Sequence, residues 1–123
     1  MAFQSQSAVT PLYQQYLALK AQVQGYILFY QLGDFYELFA EDAETAAREL
    51  DLVLTSRNVS RNERIPMAGV PVHAAEPYIQ LIVKAGYAVA VIDQCSVPDG
   101  SGLVERRITR LIEPGMSEAK KRG

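Results

Sequence analysis

One cysteine, Cys95, and one histidine, His73, are all the thiol and imidazole chemistry that 123 residues contain. A lone cysteine forms neither an internal disulfide nor a cysteine-rich zinc site, and it suits a reducing compartment such as the cytosol. No apolar run approaches the roughly 20 residues needed to cross a bilayer. The start, MAFQSQSAVTP, has neither a basic region nor a long apolar stretch, so neither a membrane span nor secretion is expected. A basic excess is also missing: 12 Lys+Arg against 14 Asp+Glu leave a net charge of −2. Any affinity for nucleic acid would then draw most of its phosphate neutralisation from other domains or subunits. The phosphate loop Gly-x-x-x-x-Gly-Lys-Ser/Thr, the Gly-x-Gly-x-x-Gly turn, His-Glu-x-x-His and paired cysteines are all absent. Phosphate-cradle ATPases and zinc enzymes have no starting motif here. His73, just ahead of a helix, reads as a cap or turn support, and Cys95, after a buried strand, as a small packing residue.

What is present is apolar patterning. Hydrophobic residues make up 49% of the chain, and a domain of this size buries on the order of two-thirds of its unfolded surface, so a core forms without staples. Leu12, Tyr13, Tyr16, Leu17 and Val23 recur at helical spacing over residues 10–24, with Thr10 as N-cap, Pro11 in the first position and Gly25 as terminator. YILFYQL (26–32), closed by Gly33, reads as a strand buried on both faces. Glu41 and Asp42 open a second helix whose inner stripe is Ala43, Ala46, Ala47 and Leu50. Residues 52–56 read as a second strand, and 57–64 as an exposed polar connection. IPMAGVPV (65–72), with two prolines, is at most an edge strand or a shaped loop. A helix over 75–85 with Pro77 in its first turn, a buried strand over 87–92, a Pro98-Asp99-Gly100 turn and an alternating strand from Leu103 to Ile112 complete the pattern. The fold class is α/β: a mixed β-sheet flanked by about three α-helices in a single domain, with the last hairpin antiparallel at one side. Residues 1–9 read as a flexible segment, 10–113 as the domain, and 114–123 as a linker or tail.

One segment stands out for chemistry. Gly33-Asp34-Phe35-Tyr36-Glu37-Leu38-Phe39 puts three aromatics and two carboxylates directly after a buried strand, where the chain is expected to emerge from the sheet. With strand alternation, Phe35 and Glu37 share one surface and Tyr36 faces the other. Tyr36 and Phe39 belong to the core, and Asp34 is placed to orient the turn by accepting backbone N–H groups. An aromatic ring can stack on or wedge between bases, while a carboxyl group meets a base edge, accepting a hydrogen bond when ionised and donating one when protonated.

The stretch FYQLGDFYELF, followed by DLVLTSR, IPMAGVPVHA, YIQLIVKAGYAVAVIDQ and VERRITRLIEPG, closely resembles the N-terminal mismatch-recognition domain (domain I) of the bacterial MutS DNA mismatch-repair proteins. The match spans residues 10 to about 115, with motifs in order and at similar spacing. The resemblance implies that Phe35 inserts beside a mispaired base and that Glu37 contacts that base. It also implies that Arg57 and a Met67-Ala68-Gly69 turn, through Arg57, Met67 and Gly69, approach the DNA backbone or groove. The partner implied is mismatched double-stranded DNA, within a longer bacterial, cytoplasmic, nucleoid-associated parent that adds the remaining MutS domains, binds ATP and magnesium, forms a homodimer and engages a MutL-type protein. The lever, clamp and ATPase domains do not occur in this stretch, so no catalytic residue, metal site or cofactor is assigned to it.

Arg61 and Arg64 join Arg57 as candidate phosphate contacts, and Arg106, Arg107 and Arg110 alternate along the last strand, guarding an edge or meeting a neighbouring domain. Two other readings compete. Asp34, Glu37, Glu41 and Asp42 are residue types that hold magnesium in a nuclease, although helix initiation explains two of them. A structural or protein-interaction module without DNA contact fits the acidic charge balance.

Overall fold

A computed structural model describes residues 9–97 and 104–115. The chain runs α1 (Pro11–Gln22), β1 (Tyr26–Leu32), β2 (Phe35–Phe39), α2 (Ala40–Leu50), β3 (Thr55–Asn58), β4 (Arg64–Pro71), one turn of 3-10 helix (Val72–Ala74), α3 (Ala75–Lys84), β5 (Ala88–Gln94) and β6 (Arg106–Ile112). The strands form one sheet in the order β3-β4-β2-β1-β5-β6. β1 and β5 are parallel and every other neighbouring pair is antiparallel, which is the expected mixed sheet with an antiparallel β6 at one side. The expected Pro98-Asp99-Gly100 turn, Leu103, and residues 1–8 and 116–123 lie outside the described residues.

The continuous apolar run of β1 is explained by a core on each face. Ile27 and Phe29 join Leu38, Ala46, Ile79 and Ile82 beneath α2 and α3. Leu28 and Tyr30 join Tyr16, Phe39, Ile65 and Ile92 beneath α1. A central strand covered twice cannot alternate with polar residues. On the α1 side the rings of Tyr13, Tyr16, Tyr30 and Phe39 meet stacked or edge-on, with centroids 4.9–6.1 Å apart. These geometries match the ring quadrupole preference and hold α1 over one end of β2. Thr10 caps α1, its hydroxyl accepting the Tyr13 N–H at 3.2 Å.

Several local expectations are corrected. The second strand begins at Thr55 rather than at residue 52, because Asp51 closes α2 in the left-handed region (φ 59°) and the Leu52 N–H still bonds the Ala47 carbonyl. The strand then continues through Arg57 and Asn58, so residues 57–64 form a β-hairpin rather than a free connection. Val59 anchors that hairpin: it is 1% exposed, its N–H donates to the Glu63 carbonyl and its own carbonyl accepts from Thr10 N–H, both at 2.9 Å.

β4 is an interior strand, not an edge, despite Pro66 and Pro71. Pairing to β2 ends at Met67 and pairing to β3 also ends there, so Pro66 has a paired strand only on the β3 side and Pro71 only on the β2 side. Each proline therefore has an open side for its missing N–H. Cys95 is exposed rather than packed, because β5 runs on to Gln94 and leaves the cysteine past the sheet. His73 lies in the 3-10 turn, and no side chain caps α3.

Arg106 is the other correction: rather than guarding an edge, it is 9% exposed. Its Nε donates to the Gln31 carbonyl at 2.7 Å, its Nη1 to Gln15 Oε1 at 2.6 Å, and its guanidinium lies 4.9 Å from the centroid of the Tyr30 ring. Arg107 pairs with Glu105 and Arg110 with Glu76 on the surface. Arg106→Ala leaves the Gln31 carbonyl and Gln15 short of a charged donor and should destabilise the fold by about 1–2 kcal/mol. In a thermal melt this reads as a fall of roughly 5–10 °C. An unchanged melting temperature would refute the role.

Candidate nucleic-acid interface

The chain does not emerge from the sheet after β1. Leu32 pairs with Phe35, so Gly33 and Asp34 alone make the turn, and β2 returns antiparallel through the middle of the sheet. Gly33 takes a positive φ (62°) and Asp34 does not, the pattern of a type II′ hairpin, whose first turn residue favours glycine. Asp34 fixes this turn through its backbone, its carbonyl accepting the Val72 N–H at 2.8 Å.

Register then decides what shares a face. Phe35 is opposite Leu32 on β1 and Pro71 on β4, and Glu37 is opposite Tyr30 and Gly69. Met67 lies opposite Phe39 and Thr55, and Arg57 opposite Ile65. Directly opposed residues project to the same side, so Phe35, Glu37, Gly69, Met67 and Arg57 all lie on the α1 side of three adjacent strands. Tyr36 and Leu38 point the other way into the α2/α3 core, as expected for Tyr36, and Phe39 packs beneath α1. Met67-Ala68-Gly69 is strand, not turn, and Ala68 is buried on the opposite face.

α1 reaches Tyr30 and Phe39 but leaves Phe35 uncovered, 44% exposed at the turn. Two residues along, Glu37 is half-buried, and its carboxyl group lies over Gly69: a β-carbon there would fall 2.5 Å from Glu37 Oε1 and 2.9 Å from its Cδ. Burial raises the Glu37 pKa above the ordinary carboxylate value, and the nearby Arg57 charge pulls it partway back. The face thus presents an open ring beside a carboxyl group that holds its proton more readily than a solvated one.

Gly69 has a structural reason that its sequence position did not reveal, since only the cross-strand register shows what occupies the space above it. Its φ is outside the left-handed region, so Gly69→Ala is allowed by the backbone and displaces only the end of the Glu37 side chain. A strand alanine gains roughly 0.5–1 kcal/mol over glycine, so the variant should fold and be slightly more stable. The Glu37 pKa should fall toward the ordinary carboxylate value as its carboxyl swings into water. Carboxyl-detected NMR titration of Glu37 in the variant checks this, and an unaltered titration would contradict the geometry.

Among the other candidate residues, Arg64 donates to Ser56 Oγ (2.8 Å) and Asn58 Oδ1 (2.7 Å) across its own hairpin, while Arg61 is exposed in the hairpin loop. The four carboxylates weighed for magnesium do not converge. Asp34 lies in the turn before β2, whereas Asp42 lies beyond the far end of that strand, buried and accepting from Lys20 Nζ (2.8 Å) and the Leu28 N–H (3.1 Å). Among the described residues no three His, Cys, Asp or Glu side chains gather to hold a metal.

Comparison with known proteins adds to this geometry. Residues 10–121 match the family described as MutS domain I. Three proteins named DNA mismatch repair protein MutS are similar: one from Halothermothrix orenii is 51% identical over 110 residues, 89% of this chain. One from Symbiobacterium thermophilum is 53% identical over 108 residues, 86% of the chain, and one from Caldanaerobacter subterraneus subsp. tengcongensis is 51% identical over 109 residues, 88% of the chain. The matched region is 12% of the length of each of these relatives.

Proposed function

Because the chain belongs to the MutS domain I family, we propose that its uncovered β2 face recognises mismatched double-stranded DNA, with Phe35 as the wedge and Glu37 as the base contact. The observation that carries the reading is the exposed Phe35 ring beside the half-buried Glu37 carboxyl on one sheet face. Opening a paired, stacked step costs a few kcal/mol, and a mismatch has already lost part of that stability. The face therefore tests how easily a duplex yields, rather than its sequence.

Arg57, with Met67 and Gly69 beside it, forms the flank of this face along β3 and β4. Arg57 is better placed than Arg64 to meet a phosphate, since Arg64 is held within the hairpin. A net charge of −2 supplies little non-specific attraction, so the parent's remaining MutS domains contribute most of the DNA affinity. On the same reading that parent is a cytoplasmic homodimer that binds ATP and magnesium through an ATPase domain outside this chain and signals to a MutL-type partner. No helix among the described residues is long and apolar enough to cross a membrane.

Fluorescence anisotropy with a G·T heteroduplex and the matched homoduplex, at one salt concentration, tests the proposal on this chain and on the full-length protein. The expected result is a clear heteroduplex preference in the full-length protein and weaker binding by the short chain. Equal affinity for both duplexes at full length would favour a structural module without mismatch contact.

A further inference from the structure

The parallel ladder between β1 and β5 ends at the pair Tyr30 and Ile92, three residues before the Gly33-Asp34 turn that leads into Phe35. Beyond that point two glutamine side chains continue the connection. The Gln94 N–H donates to Gln31 Oε1 at 2.8 Å, taking a side-chain acceptor where the strand no longer supplies one. Gln94 Oε1 in turn accepts the Gly33 N–H at 2.7 Å, and Gln31 Nε2 donates to the Gly33 carbonyl at 2.9 Å. Both backbone groups of Gly33 are therefore satisfied by one closed cycle. The Gln31 carbonyl is itself held by Arg106. On the opposite side the Asp34 carbonyl receives the Val72 N–H, so each of the two turn residues is tied to a different part of the sheet.

Neither glutamine is among the residues assigned to DNA contact, yet both grip the residue with the greatest conformational freedom next to the wedge. We infer that Gln94, acting with Gln31, is a positioning residue for Phe35: the two side chains clasp Gly33 and fix the angle at which the ring is presented. This rests on the wedge reading of Phe35. A ring on a turn free to hinge would lose conformational freedom on entering the duplex, and that loss weakens heteroduplex binding while leaving contacts with intact duplex unchanged. The clasp places the ordering within the fold, before DNA is met.

The test uses the full-length protein with Gln94→Met, which keeps side-chain length and removes the acceptor, and Gln94→Glu, which keeps an oxygen acceptor. Phe35→Ala is measured beside them. Gln94→Met should lower the ratio of heteroduplex to homoduplex affinity about three- to tenfold, the range of one or two lost hydrogen bonds. Homoduplex affinity should stay within about twofold of native. Gln94→Glu should restore the ratio, and hydrogen exchange at the Gly33 amide should quicken in the Met variant alone. A native ratio in Gln94→Met, or equal losses in the Met and Glu variants, would overturn the inference. Should Gln94→Met fail to fold, the native protein decides: protection of the Gly33 amide supports the clasp, and exchange at the unprotected rate overturns it. If Phe35→Ala keeps the native preference, the wedge reading itself fails. If Phe35→Ala loses it and Gln94→Met does not, only the clasp fails.

Discussion

Phe35→Ala is expected to remove most of the preference for mismatched over perfect duplex while leaving the domain folded. Its ring is 44% exposed and belongs to neither core cluster, so truncation opens no cavity. The neighbouring Tyr36 and Leu38, which anchor β2 in the α2/α3 core, are untouched. Stacking of a base on an aromatic ring contributes about 1–3 kcal/mol, so heteroduplex affinity should fall roughly five- to hundredfold. Homoduplex affinity should barely move, because an intact step does not admit the ring. Anisotropy titrations on both duplexes, with a melting curve for each protein, separate these outcomes. A folded variant with native preference would remove the wedge from the mechanism, and a lowered melting temperature would show that the ring supports the fold after all.

The candidate face was legible because it depends on strand alternation, which survives a wrong guess about topology. Phe35 and Glu37 were assigned to one surface from their spacing alone, and β2 keeps them there although the chain reverses into the sheet instead of leaving it. The reversal had a visible signal: Gly33-Asp34 between two apolar runs is a two-residue hairpin pattern. The aromatic run that follows masks it, since three rings and two carboxylates after a buried strand also fit a chain leaving the sheet. The interior position of β4 was less accessible. Its prolines argue for an edge unless the ends of both neighbouring strands are known, and those ends are set by long-range pairing. Arg106 and Gly69 follow the same logic. A buried arginine reads as an ordinary strand charge until Tyr30, Gln15 and the Gln31 carbonyl are brought to it from 75 to 91 residues away. A strand glycine reads as a weakness until Glu37 is found above it.

Glu37→Gln should raise affinity for perfect duplex and narrow discrimination, because an ionised carboxyl group near phosphates opposes any complex that offers it no partner. At a mismatch the group can accept from a displaced pyrimidine imino group or, once protonated, donate to a purine ring nitrogen. Burial already raises its pKa, with Arg57 opposing, so binding a purine acceptor draws up a proton that the site takes at little expense. For a heteroduplex that displaces a purine, native affinity should therefore strengthen as pH falls from neutral toward the carboxylate range, and the glutamine variant should show no such slope. At neutral pH the variant's homoduplex affinity should rise about tenfold, equivalent to about 1.4 kcal/mol of relieved repulsion. Stability carries the same sign. A carboxyl group whose folded pKa lies above its unfolded one adds stability below the unfolded value and loses it as pH rises through the folded value. The variant, with no proton to lose, should gain in melting temperature over the native protein at pH 7, and the gain should shrink as pH drops through the carboxylate range. Parallel pH profiles for the two proteins, in binding and in melting, would show that the Glu37 proton takes no part in recognition.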